Sequence, residues 1–229
     1  MNEYEYIFND QSLEIFPESI VNDPYIVFHG TSHYYSEHIE QIGFQRNYSP
    51  FDENAVVNLV ELLESENFIN YDVDNMASSL RHYLNNNMRL SFTSLSGNAI
   101  NYATGISKGG QIIGKIRRAQ QVVNNALAEN PELDNNINEL IRNLFILCSD
   151  IGNALGVIYA IRLPADLNGI IDENYVIHSY NSIPAISIEG RVILPNGIEE
   201  VDRETVSNRN KQKIIDGIGK ILYRKNEEE

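Results

Sequence analysis

The sequence predicts an α+β fold, and three observations carry the prediction. Short apolar or alternating runs suited to strands occur at Tyr25-Ile26-Val27-Phe28, at Arg89-Leu90-Ser91-Phe92-Thr93-Ser94, and repeatedly from Val157 onward. Between them, over 45–88 and 115–155, apolar residues recur at helical spacing in otherwise polar stretches. No internal repeat and no Pro/Gly/Ser-rich linker divides the 229 residues, so a single domain carrying two helical insertions is expected.

In chain order, residues 1–24 read as a polar, acidic lead-in ending at Asp23-Pro24, because proline disfavours helix in the residue before it. The run Tyr25-Ile26-Val27-Phe28 is a strand expected to stop at a tight turn, His29-Gly30-Thr31-Ser32. Ser36 is the expected cap of a two-turn helix carrying Ile39 and Ile42 and ended by Gly43. Val56, Leu59, Val60 and Leu63, then Met76, Leu80 and Leu84, predict two helices within 45–88. After the strand at 89–94, Ser96-Gly97-Asn98 reads as a turn and 99–104 as a helix. Residues 105–114 are glycine-rich and predict a loop. A long helical region follows over 115–155, broken at Asn130-Pro131, with Leu140, Ile141, Leu144, Phe145 and Leu147 on its apolar face. Strands are expected at 157–163, 175–177, 185–188 and 192–194, and Ile214, Ile215, Ile218 and Leu222 predict a closing helix over 211–222.

Charge narrows the function classes. With 17 Lys+Arg against 32 Asp+Glu, the net charge of −15 repels a phosphate backbone and disfavours a nucleic-acid partner. The single cysteine, Cys148, forms no internal disulfide, and its apolar helical setting predicts a packed thiol. No apolar run approaches the roughly 18 residues that span a bilayer, and the N-terminus lacks a signal peptide's basic flank and apolar core. The expected location is therefore the cytoplasm, or a host cell reached by export without a cleaved leader.

Common catalytic signatures are absent: there is no phosphate loop, no His-Glu-x-x-His, no Cys-x-x-Cys and no Gly-x-Ser-x-Gly. The five histidines are scattered and predict no metal site. His29-Gly30-Thr31 is different. A strand holds the imidazole rigidly, and the glycine lets a ligand approach the backbone closely. The basic residues Lys108, Lys115, Arg117 and Arg118 form the main cationic cluster, read either as a solvated helix start or as a contact for a diphosphate or an acidic target.

Two further motifs follow, Ala99-Ile100-Asn101-Tyr102-Ala103 after the 90–93 strand and Ser187-Ile188-Glu189-Gly190-Arg191-Val192-Ile193-Leu194. Taken in order with His29-Gly30-Thr31, they resemble the ADP-ribosyltransferase superfamily, in particular its His-Tyr-Glu branch (the diphtheria-toxin and poly(ADP-ribose) polymerase type). The resemblance covers residues 25–44, 89–104 and 156–198. It implies a split β-sandwich of two small, mostly antiparallel sheets with flanking helices, and NAD as a substrate held between them without a metal. It implies His29, Tyr102 and Glu189 as catalytic residues, with His29, Gly30, Thr31, Ser91 and Tyr102 binding NAD. On that pattern Gly30 grips the nicotinamide amide, Tyr102 stacks on its ring, His29 bonds one ribose, and Glu189 bonds the 2′-hydroxyl of the other. Cleaving nicotinamide from ribose develops an oxocarbenium-like cation, which a nearby carboxylate stabilises. A second register, that of the arginine-modifying branch, would put Arg191 at the catalytic position. Ser187 stands where that branch carries Glu or Gln and argues against arginine as acceptor.

The activity so implied is mono-ADP-ribosylation of a protein by a bacterial toxin or effector. The alternatives are NAD hydrolysis, a 2′-phosphotransferase relative disfavoured by the acidic charge, and an inactive binding module on the same fold.

Overall fold

The chain runs β1 (Asn2–Tyr4), α1 (Glu18–Val21), β2 (Ile26–Ser32), α2 (Ser36–Ile42), α3 (Glu53–Leu63), α4 (Asp74–Asn85), β3 (Leu90–Phe92) and α5 (Ser96–Thr104). It continues through α6 (Gln111–Glu129), α7 (Glu139–Asn153), β4 (Gly156–Arg162), β5 (Gly169–Ile171), β6 (Ile177–Ser179), β7 (Ile188–Ile193) and α8 (Arg203–Asp216). The computed structural model describes residues 1–46, 48–65, 68, 74–85, 89–164 and 168–217. The predicted extension of the last helix through Ile218 and Leu222, and the charged tail at 224–229, lie outside the described residues. The architecture is mixed α and β with two small sheets, ordered β1-β7-β4-β2 and β3-β6-β5.

The chain divides into two units, one of residues 1–47, 88–105 and 155–229 and one of 48–87 and 106–154. The sequence predicted one domain with insertions over 45–88 and 115–155; in the structure those segments pack on each other as the second unit. There α3 packs on α4 and α7, and α6 on α7 and α4. Val56, Leu59, Val60, Leu63 and Leu80 are buried, as are Ile113, Ile116, Val123, Ile141, Leu144 and Cys148. Burial raises the Cys148 thiol to about 12, against the opposing charge of Arg117, so the cysteine is a packed side chain. The predicted loop at 105–114 is shorter than expected, because α6 starts at Gln111. The cationic cluster serves this unit's own backbone: Lys108, Lys115 and Arg117 donate to the carbonyls of Ala154, Ser79 and Ile106.

The strand-bearing unit is built around β4, whose residues Gly156 to Ile161 are all buried. A strand covered on both faces reads as a continuous apolar run. On one face Ile158 and Ala160 join Ile26, Phe28 and Val192 beneath Ala99, Ile100 and Ala103 of α5. On the other, the Tyr159 hydroxyl donates to Ser36 of α2 at 2.9 Å.

Several sequence expectations are corrected here. His29-Gly30-Thr31 is not a turn: β2 pairs antiparallel with β4 from Ile26↔Arg162 to Ser32↔Gly156, and the ladder carries the glycine within it. The turn follows at His33–Tyr35, a 3-10 turn in which the Ser32 hydroxyl accepts from the Tyr34 N–H. Ser36 is the first residue of α2 rather than its cap. Ser96-Gly97-Asn98 is the first turn of α5. The lead-in supplies a strand, since β1 pairs parallel with β7 and Glu3 bonds Arg191 at 2.6 Å. Residues Ala185–Ser187 form a 3-10 turn, not a strand. At 175–177 only Ile177 is strand, because Tyr175 has φ +59°, a left-handed conformation that ends an extended run. The last helix begins at Arg203, where the Asp202 side chain accepts from the Thr205 N–H. Among the described residues no helix is long and apolar enough to cross a membrane.

Candidate functional site

The two sheets meet at one isolated bridge, Phe28↔Thr93, whose residues exchange both backbone hydrogen bonds at 2.7 and 3.0 Å. In an antiparallel ladder the next such pair lies two residues along each strand, which is Gly30 opposite Ser91. That pair does not form. The Ser91 carbonyl instead accepts from His29 Nδ1 at 2.8 Å. The backbone N–H and C=O of Gly30 point the same way as those of Phe28, into the seam where the sheets part, and no backbone partner takes them among the described residues.

Gly30 is required here by crowding. A Cβ built on it would lie 1.9 Å from the Ala99 carbonyl oxygen, because α5 lies directly on this face of β2. Strand alternation sends the neighbouring His29 side chain to the opposite face. There its ring meets Phe44 edge-on at 4.9 Å and Phe92 at 5.7 Å. Burial lowers the His29 pKa, against the smaller opposing effect of the Ser91 carbonyl.

A histidine kept neutral in the fold makes stability depend on pH. Below about 6.5 the unfolded chain takes up a proton that folded His29 refuses, so stability is present above that value and is lost as the pH falls towards the lowered folded pKa. Urea denaturation at pH 7.5 and 5.5 should therefore show a smaller acid loss for His29→Gln than for the parent chain. Equal losses would remove His29 as the source.

Ser91 is the centre of a wider polar set. It faces His178 across the β3–β6 ladder, and its Oγ lies 2.9 Å from His178 Nδ1. His178 is buried, and its Nε2 lies 2.9 Å from Asp172 Oδ2. Burial raises the Asp172 pKa, but the N–H groups of Val176 and Asn174 and the His178 ring outweigh it, leaving the carboxyl below its ordinary value.

Tyr102 lies on α5 and is 43% exposed. Burial raises its pKa, the Asp172 charge raises it further, and the Arg203 charge opposes both. Asn101 beside Tyr102 clamps the segment after β7, giving and taking one hydrogen bond with the Val201 backbone at 2.9 and 2.7 Å.

The predicted residues are thus brought together in part. His29, Gly30 and Ser91 meet at the seam, while Thr31 is buried on the His29 face of β2. Glu189 is the extra residue of a bulge in β7, between Ile188 opposite Ile161 and Gly190 opposite Ala160. Its carboxylate pairs with Arg162 at 2.6 Å, and Arg162 also holds Asp23 at 2.9 Å. Among the described residues no hydrogen bond or ring contact joins Glu189, His29 and Tyr102 to one another. Arg191, the other register's candidate, pairs with Glu3 and Glu40.

Asp172 and His178 were not singled out from the sequence. The one local sign was Asp172 two residues before Asn174 ahead of an apolar run, an Asx-turn pattern; their link to Ser91 depends on strand pairing that spacing does not reveal. No protein-family model matches this chain, and comparison with curated proteins and with solved structures likewise found no match.

Proposed function

We propose that the chain binds NAD at the seam between its two sheets and transfers the ADP-ribose to a protein acceptor, releasing nicotinamide. The observation carrying this reading is the open backbone of Gly30 beside His29. One strand residue's N–H and C=O complement the oxygen and the NH2 of a primary carboxamide, as a neighbouring strand would. With Nδ1 donating to Ser91, neutral His29 leaves Nε2 as an acceptor for a ribose hydroxyl.

Glu189 is the carboxylate assigned to the ribose. Its ion pair with Arg162 is partly exposed, with side chains 36% and 46% accessible, and such pairs contribute about 0–1 kcal/mol. A charge-assisted hydrogen bond from a substrate hydroxyl is worth about 1.5–3 kcal/mol, enough to compete for the carboxylate. The negative surface favours a basic protein patch as acceptor.

The test is nicotinamide release from labelled NAD by purified protein, with and without cell lysate. Release with label on protein is expected, and Glu189→Ala should slow it about 100-fold or more. An absence of both NAD binding and nicotinamide release would sink the reading. A second reading, a binding module without turnover, is favoured by the engagement of Glu189 with Arg162. It predicts an NAD-dependent rise in melting temperature with no nicotinamide released.

A further inference from the structure

We propose that Ser91, His178 and Asp172 are a nucleophile, a general base and an orienting carboxylate that act on small carboxylic esters, an activity that does not rest on the NAD reading. Three side chains, Ser91 from β3 and Asp172 and His178 from the β5–β6 segment, are hydrogen-bonded in series, Ser91 Oγ to His178 Nδ1 and His178 Nε2 to Asp172 Oδ2, each at 2.9 Å. With Asp172 ionised, the ring proton sits on Nε2 and points at the carboxylate. Nδ1 is then the lone pair that accepts the Ser91 hydroxyl proton. The roles match those of a serine hydrolase triad with the two ring nitrogens exchanged, and such triads are defined by geometry rather than by sequence order.

The set is held before any substrate arrives. Ser91 and His178 are directly opposed across the β3–β6 ladder. Asp172 Oδ1 accepts from the N–H groups of Asn174 and Val176, both at 2.9 Å, which fixes the carboxylate. The turn behind it is closed by left-handed Tyr175, whose carbonyl accepts from Asn210 Nδ2 at 2.8 Å. Strained backbone of this kind persists where the surroundings over-determine it, and it clusters at functional sites. His29 holds the Ser91 main chain from the other side.

A purely structural role accounts poorly for these residues. An apolar cross-strand pair would join β3 to β6 without the cost of burying an imidazole against a half-buried carboxylate. The hydroxyl end of the series belongs to Ser91, which is partly exposed, whereas His178 is buried. That is the order a nucleophile and its base require. The Gly30 N–H, which faces the seam and has no hydrogen-bond partner among the described residues, is the donor available to a developing oxyanion.

In the step proposed, Ser91 Oγ bonds to the ester carbonyl carbon while its proton passes to His178 Nδ1. The carbon–oxygen bond to the alcohol then breaks, and the alcohol leaves with that proton. Water, deprotonated in the same way, releases the carboxylic acid and restores Ser91.

The experiment treats the intact chain with diisopropyl fluorophosphate, which phosphorylates such a serine with loss of fluoride, and maps the adduct by peptide mass. One adduct on Ser91 is expected, together with p-nitrophenyl acetate hydrolysis that the adduct abolishes. Asp172→Asn, chosen because it keeps the shape of the side chain, should slow both about 100-fold or more. No adduct on Ser91 in the unsubstituted chain would overturn the proposal. So would an Asp172→Asn variant that reacts at the parent rate. Neither result depends on whether His178 variants fold.

Discussion

Gly30→Ala should destabilise the strand-bearing unit by about 3 kcal/mol or more, at the upper end of what overpacking costs. The new Cβ would stand 1.9 Å from the Ala99 carbonyl oxygen, 2.9 Å from its carbon and 3.1 Å from the Ala103 nitrogen. All three are backbone atoms of α5, so no rotamer change relieves the clash. The helix must move away from β2, opening the layer in which Ala99, Ile100 and Ala103 cover Phe28 and Ile158. For a chain of this size a loss of that magnitude lowers the melting temperature by roughly 6–12 °C. Gly197→Ala is the informative control, because φ is +80° there but nothing lies within 4 Å. It should cost only about 1 kcal/mol, the conformational penalty without the collision. Thermal melts of the two variants separate crowding from backbone strain. Equal and small losses would mean that α5 is free to shift, and that Gly30 is not fixed by this packing.

Gly30 also shows how far local signals reach. The sequence marked His29-Gly30-Thr31 as important and took the glycine for a turn, which is glycine's commonest meaning. Here glycine serves close approach instead, and only the position of α5 distinguishes the two. Strongly periodic segments were legible: α3 and α7 carry an apolar stripe at helical spacing, and β4 carries Val157, Ile158 and Ile161 in a run free of charge up to Arg162. The strands that escaped notice, β1 and β5, have three residues each and depend on a partner rather than on their own composition. Of the site, the sequence marks His29 through the glycine that follows it at the end of an apolar run, and Ser91 enters through the family resemblance. Asp172 and His178 join them through a cross-strand register that depends on which strand pairs with β3, and nothing in local spacing encodes that choice.

Asn210→Ala is expected to lower stability by about 3–5 kcal/mol, since each buried partner left unmatched costs about 1–3 kcal/mol. Asn210 is 1% exposed and joins three segments distant in sequence. Its Oδ1 accepts from the Ser94 N–H at 2.8 Å and from the Thr93 hydroxyl, and its Nδ2 donates to the Tyr175 carbonyl at 2.8 Å. Truncation leaves the Ser94 N–H and the Tyr175 C=O without those partners, both just beyond the Phe92↔Ile177 end of the β3–β6 pairing. The left-handed turn at Tyr175 then loses the bond that offsets its strain, although Lys211 still lies 4.8 Å over the Tyr175 ring. The effect should therefore be local as well as global. Amide exchange at Asn174 and Val176, whose N–H groups hold Asp172, should accelerate more than exchange in β4. Uniform acceleration across both would make Asn210 a general stabiliser of the unit. Selective acceleration at the turn would tie α8 to the placement of Asp172, His178 and Ser91, through a residue whose hydrogen bonds go to Thr93, Ser94 and Tyr175.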